Sequence, residues 1–347
     1  MYTTAQYSFF VKNLLDWFDQ HGRHSLPWQK SPTPYRIWVS EIMLQQTQAA
    51  TVIPYFERFM EAFPKLQTLA EATLDDVLAH WSGLGYYARG RNLHKAAQRC
   101  MQEHDGQLPV SPQQLQDLPG IGRSTANAIA AQAFGLPVAI LDGNVKRVMC
   151  RLHGIEGWPG KAAVERRLWE LAQAHMPTER VADYTQAIMD LGATLCTRRR
   201  PDCQRCPVHH ECQALAQGLH DQLPTPRPKK VLPTRKRWWL KLEDNAGRLL
   251  LTQRPASGLW GGLWCLPEFD SEDDLLIQTM ALGCQSTPKA LTTIRHSFSH
   301  YHLHAEVMLV KGYQAGAIMD ASSRWLSPKQ ATKLGLPTPV RTVLERP

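Results

Sequence analysis

Four cysteines in one short segment constrain the fold of this chain more than any other feature of its sequence. Cys196, Cys203, Cys206 and Cys212 lie in CTRRRPDCQRCPVHHEC with the spacing C-x6-C-x2-C-x5-C. Four thiolates this close in sequence can enclose one metal centre. Zinc modules usually use paired C-x2-C motifs across a longer loop, whereas one such pair flanked by single cysteines is typical of a [4Fe–4S] cluster. The spacing therefore favours an iron–sulfur cluster over zinc or four unrelated buried thiols.

The chain of 347 residues is longer than one hydrophobic core usually supports, which predicts more than one domain. Residues 1–222 carry apolar residues at three- and four-residue spacing, the pattern of packed helices. Residues 223–235 are rich in proline and basic side chains and predict an extended, solvated linker. Residues 236–347 carry short β-type runs broken by glycine, proline and asparagine. We therefore predict a multidomain fold, an all-α domain followed by an α+β domain.

The net charge of +8 favours a polyanionic partner. Arg198, Arg199 and Arg200 lie inside the first cysteine loop, where they could contact phosphates or form a solvated charge run. No apolar run approaches the ~20 residues of a membrane span, and the N-terminus lacks the features of a signal peptide. We expect a cytoplasmic protein without a membrane partner and, since no oligomer signal is present, a monomer.

A glycine hairpin lies in LPGIGRSTANAIA, within residues 118–135. Gly120 and Gly122 are expected to take backbone conformations that a Cβ resists. A helix that begins near Arg123 would present unpaired N–H groups and the positive end of its dipole. Such a helix–hairpin–helix can bind one DNA phosphate without reading sequence.

Two carboxylates have surroundings suited to chemistry at a sugar. Glu41 lies in WVSEIMLQQTQ on a long helical pattern, where apolar neighbours should raise the pKa of its carboxyl and let it donate a proton. A salt-bridged or partly exposed glutamate is the alternative. Asp142, in VAILDGNVKRV, could cap the next helix or stabilise positive charge on a sugar. The polar run at 45–48 suits hydrogen bonding to base edges.

Together these motifs resemble the endonuclease III superfamily of DNA glycosylases. SEIMLQQTQ, GLGYYARGRNL, LPGIGRSTA and LDGNVKRV, with the extra C-terminal domain, resemble its adenine DNA glycosylase family over nearly the whole chain. The resemblance implies a base excision repair enzyme with a [4Fe–4S] cluster. Its substrate would be double-stranded DNA with adenine opposite 8-oxoguanine or guanine. Adenine would leave the base stack and be released by hydrolysis of its N-glycosidic bond.

The resemblance also implies roles for individual residues. Glu41 would protonate adenine at N7, and Asp142 would stabilise the oxocarbenium-like sugar, with Asn144 supporting it. Ser124 and Trp28 match positions in the base pocket. The residues implied to contact or wedge beside 8-oxoguanine are Gln46, Thr47, Leu84, Tyr86, Phe298, Ser299 and His300.

The C-terminal domain resembles a Nudix fold with one departure. LWGGLWCLPEF is similar to the opening of the Nudix motif, but the acidic segment that would bind magnesium is missing. We therefore expect no nucleotide pyrophosphatase activity.

Two other functions remain open from the sequence. An endonuclease III-like bifunctional glycosylase and AP lyase would need a lysine nucleophile just after the hairpin glycines. Ser124 occupies that position, and the guanidinium of Arg123 stays protonated. The other alternative is a non-catalytic, redox-sensing DNA-binding protein, in which Glu41 and Asp142 would be structural.

Overall fold

The computed structural model describes residues 4–228, 231–313 and 322–345. The chain forms two compact units, Met1–Gln67 with Lys95–Lys229 and Thr68–His94 with Lys230–Pro347. Thr68–His94 joins the second unit although it lies within the helical part of the sequence. The domain limits expected from the sequence stay a prediction.

The described chain is mainly helical as far as residue 228, as its apolar spacing predicts. Two short 3-10 turns, Cys203–Arg205 and His209–Glu211, lie in the cysteine segment. The α-helices are Thr4–His21 (α1), Pro34–Leu44 (α2), Ala49–Ala62 (α3), Leu66–Glu71 (α4), Leu74–Trp81 (α5), Ala88–Glu103 (α6), Pro112–Asp117 (α7), Arg123–Phe134 (α8), Gly143–Leu152 (α9), Ala162–Ala174 (α10), Val181–Thr194 (α11) and Gln213–Ala216 (α12).

The polar run at 45–48 is not helical, which corrects the single long pattern expected around Glu41. Helix α2 ends at Leu44 and α3 begins at Ala49, and Gln46 between them has a left-handed φ of 58°. The run has no apolar side chain that continued helix could bury, so the chain turns there instead.

The core of the first unit gathers the buried faces of α1 and α8 to α11. Phe10, Leu14, Met149, Leu168 and Leu191 are fully buried in it. Each such side chain stabilises the fold by about 1.5–3 kcal/mol relative to an exposed one. This packing fixes the N-terminal end of α9 and the C-terminal end of α11.

The second unit contains a mixed seven-stranded sheet among the described residues, in the order β3-β2-β1-β6-β5, with β4 beside β1 and β7 beside β2. Strands β1 and β6 are parallel, with Trp239 opposite Val307. The elements are Thr234–Asp244 (β1), Leu249–Gln253 (β2), Trp264–Cys265 (β3), Glu268–Phe269 (β4), Glu272–Ala281 (α13), Lys289–Ser297 (β5), His302–Tyr313 (β6), Ser323–Leu326 (β7), Pro328–Ala331 (α14) and Thr338–Leu344 (α15).

The start of the basic, proline-rich segment packs on the first unit, unlike the solvated linker expected from its composition. Leu223 is buried, and its carbonyl accepts a hydrogen bond from Arg151 Nε at 2.8 Å. Thr225 Oγ1 accepts from the N–H of Gly157 at 2.9 Å. In the described ranges of the chain, no helix is long and apolar enough to cross a membrane.

Candidate active site

A cleft of about 1010 Å³ in the first unit brings nine of the expected site residues together. Its walls come from α2, the 45–48 turn, the starts of α8 and α9, and the first cysteine loop. The expected residues that line it are Trp28, Glu41, Gln46, Thr47, Gly122, Ser124, Asp142, Asn144 and Arg198.

Glu41 lies on α2 and its half-buried carboxyl faces this cleft. Burial raises the pKa of Glu41 to about 7; the nearby Asp142 charge also raises it, and the hydrogen bond from Gln132 opposes the shift. Gln132 Nε2 donates to Glu41 Oε1 at 2.8 Å, so the partner of the carboxyl is an amide rather than a cation. At neutral pH this carboxyl therefore carries its proton for a substantial part of the time, as a general acid requires.

Asp142 takes the capping role that its sequence position allowed, and it also lines the cleft. It is the N-cap of α9, and its Oδ1 accepts from the N–H of Val145 at 2.8 Å. Burial raises the pKa of Asp142, while hydrogen bonds from the backbone of Val145 and Asn144 and the charge of Arg147 oppose that shift. The same carboxyl lines the cleft, where the positive end of the helix dipole favours its charged form.

Asn144 connects Asp142 to the cysteine segment through Arg147. Asn144 Nδ2 donates to Asp142 Oδ2 at 3.2 Å, and Arg147 Nη2 donates to Asn144 Oδ1 at 2.9 Å. Arg147 also donates to the carbonyl of Gly192 at 2.6 Å and, through Nε, to that of Cys196 at 2.7 Å. We did not predict Arg147 from the sequence, although its i,i+3 spacing from Asn144 is the signal that could have found it.

The hairpin agrees with expectation at one glycine and not at the other. Gly120 has a φ of 81°, which favours glycine. Gly122 has a φ of −88°, and a Cβ added there meets nothing within 4 Å, so the expected conformational need for glycine at 122 is wrong. Ser124 Oγ accepts from the N–H of Leu141 at 3.0 Å and so holds the residue before Asp142.

Trp28 forms part of the apolar wall of the cleft, and a partly buried ion pair whose arginine also lines the cleft was not predicted from the sequence. Trp28 is buried edge-on against Phe56, with ring centroids 5.5 Å apart. Arg23 lines the cleft and donates through Nε and Nη2 to Asp190, a fully buried carboxylate, at 2.9 and 2.7 Å. Gln186, another lining residue, donates to the same carboxylate at 2.7 Å. The 167-residue separation of Arg23 and Asp190 leaves no local sequence signal.

The four cysteine thiols are free and half-buried, and three have pKa values raised by burial and then by neighbouring thiols. The pKa of Cys206 rises to about 12 under burial and the charges of Cys196, Cys212 and Cys203. The thiols are therefore near neighbours. Within the described residues, no group of at least three His, Cys, Asp or Glu side chains is close enough for a single metal ion. Four cysteine thiols are the donor set that a [4Fe–4S] cluster uses, with one thiolate on each iron.

The first cysteine loop presents its arginines to solvent. Arg198, Arg199 and Arg200 are exposed, and Arg198 also lines the cleft. Arg151, buried below the loop, donates to the carbonyl of Thr197 at 2.7 Å and to Cys196 Sγ at 3.3 Å.

The remaining expected residues lie in the second unit. Leu84 is buried, whereas Tyr86 is 56% exposed and has a left-handed φ of 48°, which is uncommon for a bulky residue. Phe298 lies between β5 and β6, and its N–H donates to the carbonyl of Tyr301 at 2.9 Å. Ser299 and His300 are exposed at the tip of this turn.

Comparisons with known proteins agree with this architecture. The family described as HhH-GPD superfamily base excision DNA repair protein matches residues 39–174, and the NUDIX domain family matches residues 238–346. An adenine DNA glycosylase of Buchnera aphidicola subsp. Schizaphis graminum (strain Sg) is 35% identical over 97% of this chain and 98% of its own length. The chain belongs to the adenine DNA glycosylases. The family member of Rattus norvegicus is 36% identical, over 98% of this chain and 78% of its own length.

Solved structures share the helical fold of this adenine DNA glycosylase. A thermostable thymine-DNA glycosylase matches with a TM-score of 0.55 and 26% identity, over 61% of this chain and 97% of its own. Endonuclease III in a non-covalent DNA complex matches with a TM-score of 0.53 and 22% identity, over 63% of this chain and 99% of its own. The expected fold class, a helix–hairpin–helix domain followed by a Nudix-like α+β domain, is therefore confirmed. As a family member, the chain is a DNA repair glycosylase that acts on N-glycosyl bonds.

Proposed function

We propose that this glycosylase excises adenine opposite 8-oxoguanine, or opposite guanine, in double-stranded DNA and leaves the DNA strand intact. The observation that carries the proposal is the pairing of two carboxyls in one cleft. Glu41 has a pKa of about 7, and Asp142 caps a helix whose dipole favours its charge. One carboxyl can thus act as an acid while the other stays ionised, as in glycoside hydrolysis.

The reaction begins with a proton transfer. Protonated Glu41 donates its proton to N7 of the extruded adenine, which makes the base a better leaving group. The bond between N9 and C1′ then breaks, and its electron pair leaves with the base. Gln132 orients the carboxyl, because its amide donates to Oε1 and leaves Oε2 available to carry the proton.

Asp142 acts on the positive charge that develops on the sugar as the bond breaks. Its carboxylate stabilises the oxocarbenium-like sugar, and Asn144, itself held by Arg147, keeps that carboxylate in place. Water then adds to C1′ and gives up a proton to ionised Glu41, which restores the acid for the next turnover. The products are free adenine and an abasic site.

Ser124 supports hydrolysis rather than strand cleavage. An AP lyase of the endonuclease III type needs a lysine amine at this position to form a Schiff base. Here the Ser124 hydroxyl lines the cleft and accepts a hydrogen bond from the N–H of Leu141. The non-catalytic alternative does not account for the burial that holds the pKa of Glu41 near neutrality.

We assign a [4Fe–4S] cluster to Cys196, Cys203, Cys206 and Cys212 on the chemistry of the donor set. Four thiols with no disulfide partner influence one another's pKa values within one short segment. When bound, the cluster would cross-link this segment and so stabilise the loop that carries the exposed arginines.

The DNA contacts complete the proposal. The hairpin at Gly120 and Gly122 and the arginines of the first cysteine loop would bind phosphates. The residues proposed to contact 8-oxoguanine are Gln46, Thr47, Leu84, Tyr86, Phe298, Ser299 and His300. A monomer in the cytoplasm remains the expected form.

A single-turnover assay with three duplexes tests the proposal. One carries adenine opposite 8-oxoguanine, one adenine opposite guanine, and one thymine glycol opposite adenine. We expect adenine release that is fastest from the first duplex and no release of thymine glycol. Preferential release of thymine glycol, or no release from any duplex while DNA is bound, would contradict it.

A further inference from the structure

The loop at residues 82–87, here called the wedge loop, is held by a distant part of the same compact unit. Leu84 and Tyr86 on this loop are among the residues proposed above to contact 8-oxoguanine. The loop needs support because Gly83, Gly85 and Tyr86 all have left-handed φ values, of 99°, 77° and 48°. Without tertiary contacts, a non-glycine residue in this conformation is unfavourable.

Much of that support comes from the segment Thr332–Arg341, here called the brace segment. Tyr87 Oη donates to the carbonyl of Leu336 at 2.8 Å and accepts from the N–H of Gly83 at 3.2 Å. Ser82 Oγ donates to the same carbonyl at 3.2 Å. Both ends of the wedge loop are therefore tied to one backbone oxygen.

A second contact fixes the brace segment against the loop. Arg341 Nη2 donates to Ser82 Oγ at 3.0 Å and to the carbonyl of Thr332 at 3.3 Å. One guanidinium thus connects α15, the preceding turn and the first residue of the wedge loop.

The approach of the brace segment is close enough to require a glycine. A Cβ added to Gly335 would lie 2.8 Å from the Cβ of Leu78 on α5 and 3.1 Å from Leu263 Cδ2. The neighbouring Leu336 is fully buried, so the segment cannot move outward without exposing it. The brace segment is therefore tightly packed against α5, the helix that leads into the wedge loop, and is hydrogen-bonded to the loop itself.

We propose that the brace segment positions the wedge loop, and that Tyr87 and Arg341 are positioning residues for discrimination between 8-oxoguanine and guanine. The C-terminal domain would then act on recognition by this route in addition to the turn at Phe298–His300. The inference rests on the proposed function, because it assumes that the wedge loop contacts the base opposite adenine.

The test compares Tyr87→Phe with Tyr35→Phe in the full chain. Each substitution removes one buried hydroxyl that donates to a carbonyl at 2.8 Å, but Tyr35 donates to Phe63 in the other compact unit. The measurement is the ratio of single-turnover adenine release rates opposite 8-oxoguanine and opposite guanine. Thermal unfolding measures the loss of stability for both variants.

We expect similar losses of stability, and a rate ratio that falls about three- to tenfold only in Tyr87→Phe, the effect of one hydrogen bond. Arg341→Met, which removes the contact to Ser82 from a half-buried position, should lower the ratio in the same direction. An unchanged ratio in both Tyr87→Phe and Arg341→Met would overturn the inference while leaving the proposed function intact. No adenine release by the unsubstituted enzyme would instead contradict the proposed function.

Discussion

The chemistry at the residue scale depends on how two carboxyls differ in environment. Glu41 has one amide partner and a pKa of about 7, whereas Asp142 accepts hydrogen bonds from the first turn of a helix and from Asn144. The raised pKa of Glu41 could be anticipated from its apolar neighbours. The Gln132 contact could not, because it joins residues 91 positions apart.

Glu41→Gln should abolish adenine release without abolishing DNA binding. The amide keeps the size of the side chain but has no proton to donate, and general acid catalysis contributes about 100- to 10,000-fold. Single-turnover rates and a binding measurement on the same duplex check this. Residual activity within tenfold of the unsubstituted enzyme would show that another group supplies the proton.

The rate should also fall as the pH rises through about 7, because Glu41, the proposed acid, has a pKa of about 7 and can donate a proton only in its protonated form. The stability of the fold should change with pH in the same direction as the rate. A carboxyl whose pKa is raised on folding binds its proton more tightly in the native state, so stability should fall between the ordinary glutamate value and about pH 7. Glu41→Gln should remove that part of the pH dependence of unfolding, and a variant with an unchanged profile would argue against it.

Asp142→Asn and Asp142→Ala separate catalysis from helix capping. Asparagine caps helices about as well as aspartate, so Asp142→Asn should lose adenine release with little loss of stability. Asp142→Ala should lose both, with a cost of about 1 kcal/mol in the free energy of unfolding. Adenine release and denaturant unfolding measure the two effects, and full activity in Asp142→Asn would contradict a role for the carboxylate.

Ser124→Lys should introduce lyase activity, because it places an amine in the cleft near the sugar. It also removes the acceptor for the N–H of Leu141, so some loss of stability is expected. Borohydride trapping on the abasic product detects the Schiff base. If the variant binds DNA and releases adenine normally but no Schiff base is trapped, position 124 does not lie close enough to the sugar for its side chain to react.

At the scale of secondary structure elements, periodicity predicted the helices well and the turns less well. The pattern across α2 and α3 looked continuous, yet the turn at 45–48 interrupts it and presents Gln46 and Thr47 to the cleft. The sequence of β5, KALTTIRHS, is mostly polar, and this strand is recognisable only from its pairing with β6. Local pattern does not encode such long-range pairing.

Arg147→Met should weaken the link between α9 and the cysteine loop. It leaves Asn144 Oδ1 and the carbonyls of Gly192 and Cys196 without their guanidinium donor, which costs about 1–3 kcal/mol for each buried group left unpaired. We expect lower thermal stability and slower adenine release. Arg167→Met, which removes an exposed ion pair with Glu170, is the matched control and should change neither.

At the scale of the whole molecule, the change in sequence texture near residue 223 falls between the end of α12 at Ala216 and the start of β1 at Thr234. It did not indicate that Thr68–His94 packs with the C-terminal residues. That packing depends on contacts such as Arg91 Nη1 to the carbonyl of Gly261 at 2.7 Å, which join parts of the chain 170 residues apart.

The Nudix-like domain should not hydrolyse 8-oxo-dGTP, because the acidic segment that would bind magnesium is missing from its sequence.

An assay that measures strand breakage in a duplex with adenine opposite 8-oxoguanine tests the central claim most directly. The claim is that Glu41 and Asp142 break only the glycosidic bond. Under single-turnover conditions, we predict that the adenine strand stays intact until hot alkali is added and then breaks at the site of the lost base. Strand breakage at the rate of base release without alkali, or no breakage after alkali, would contradict the account.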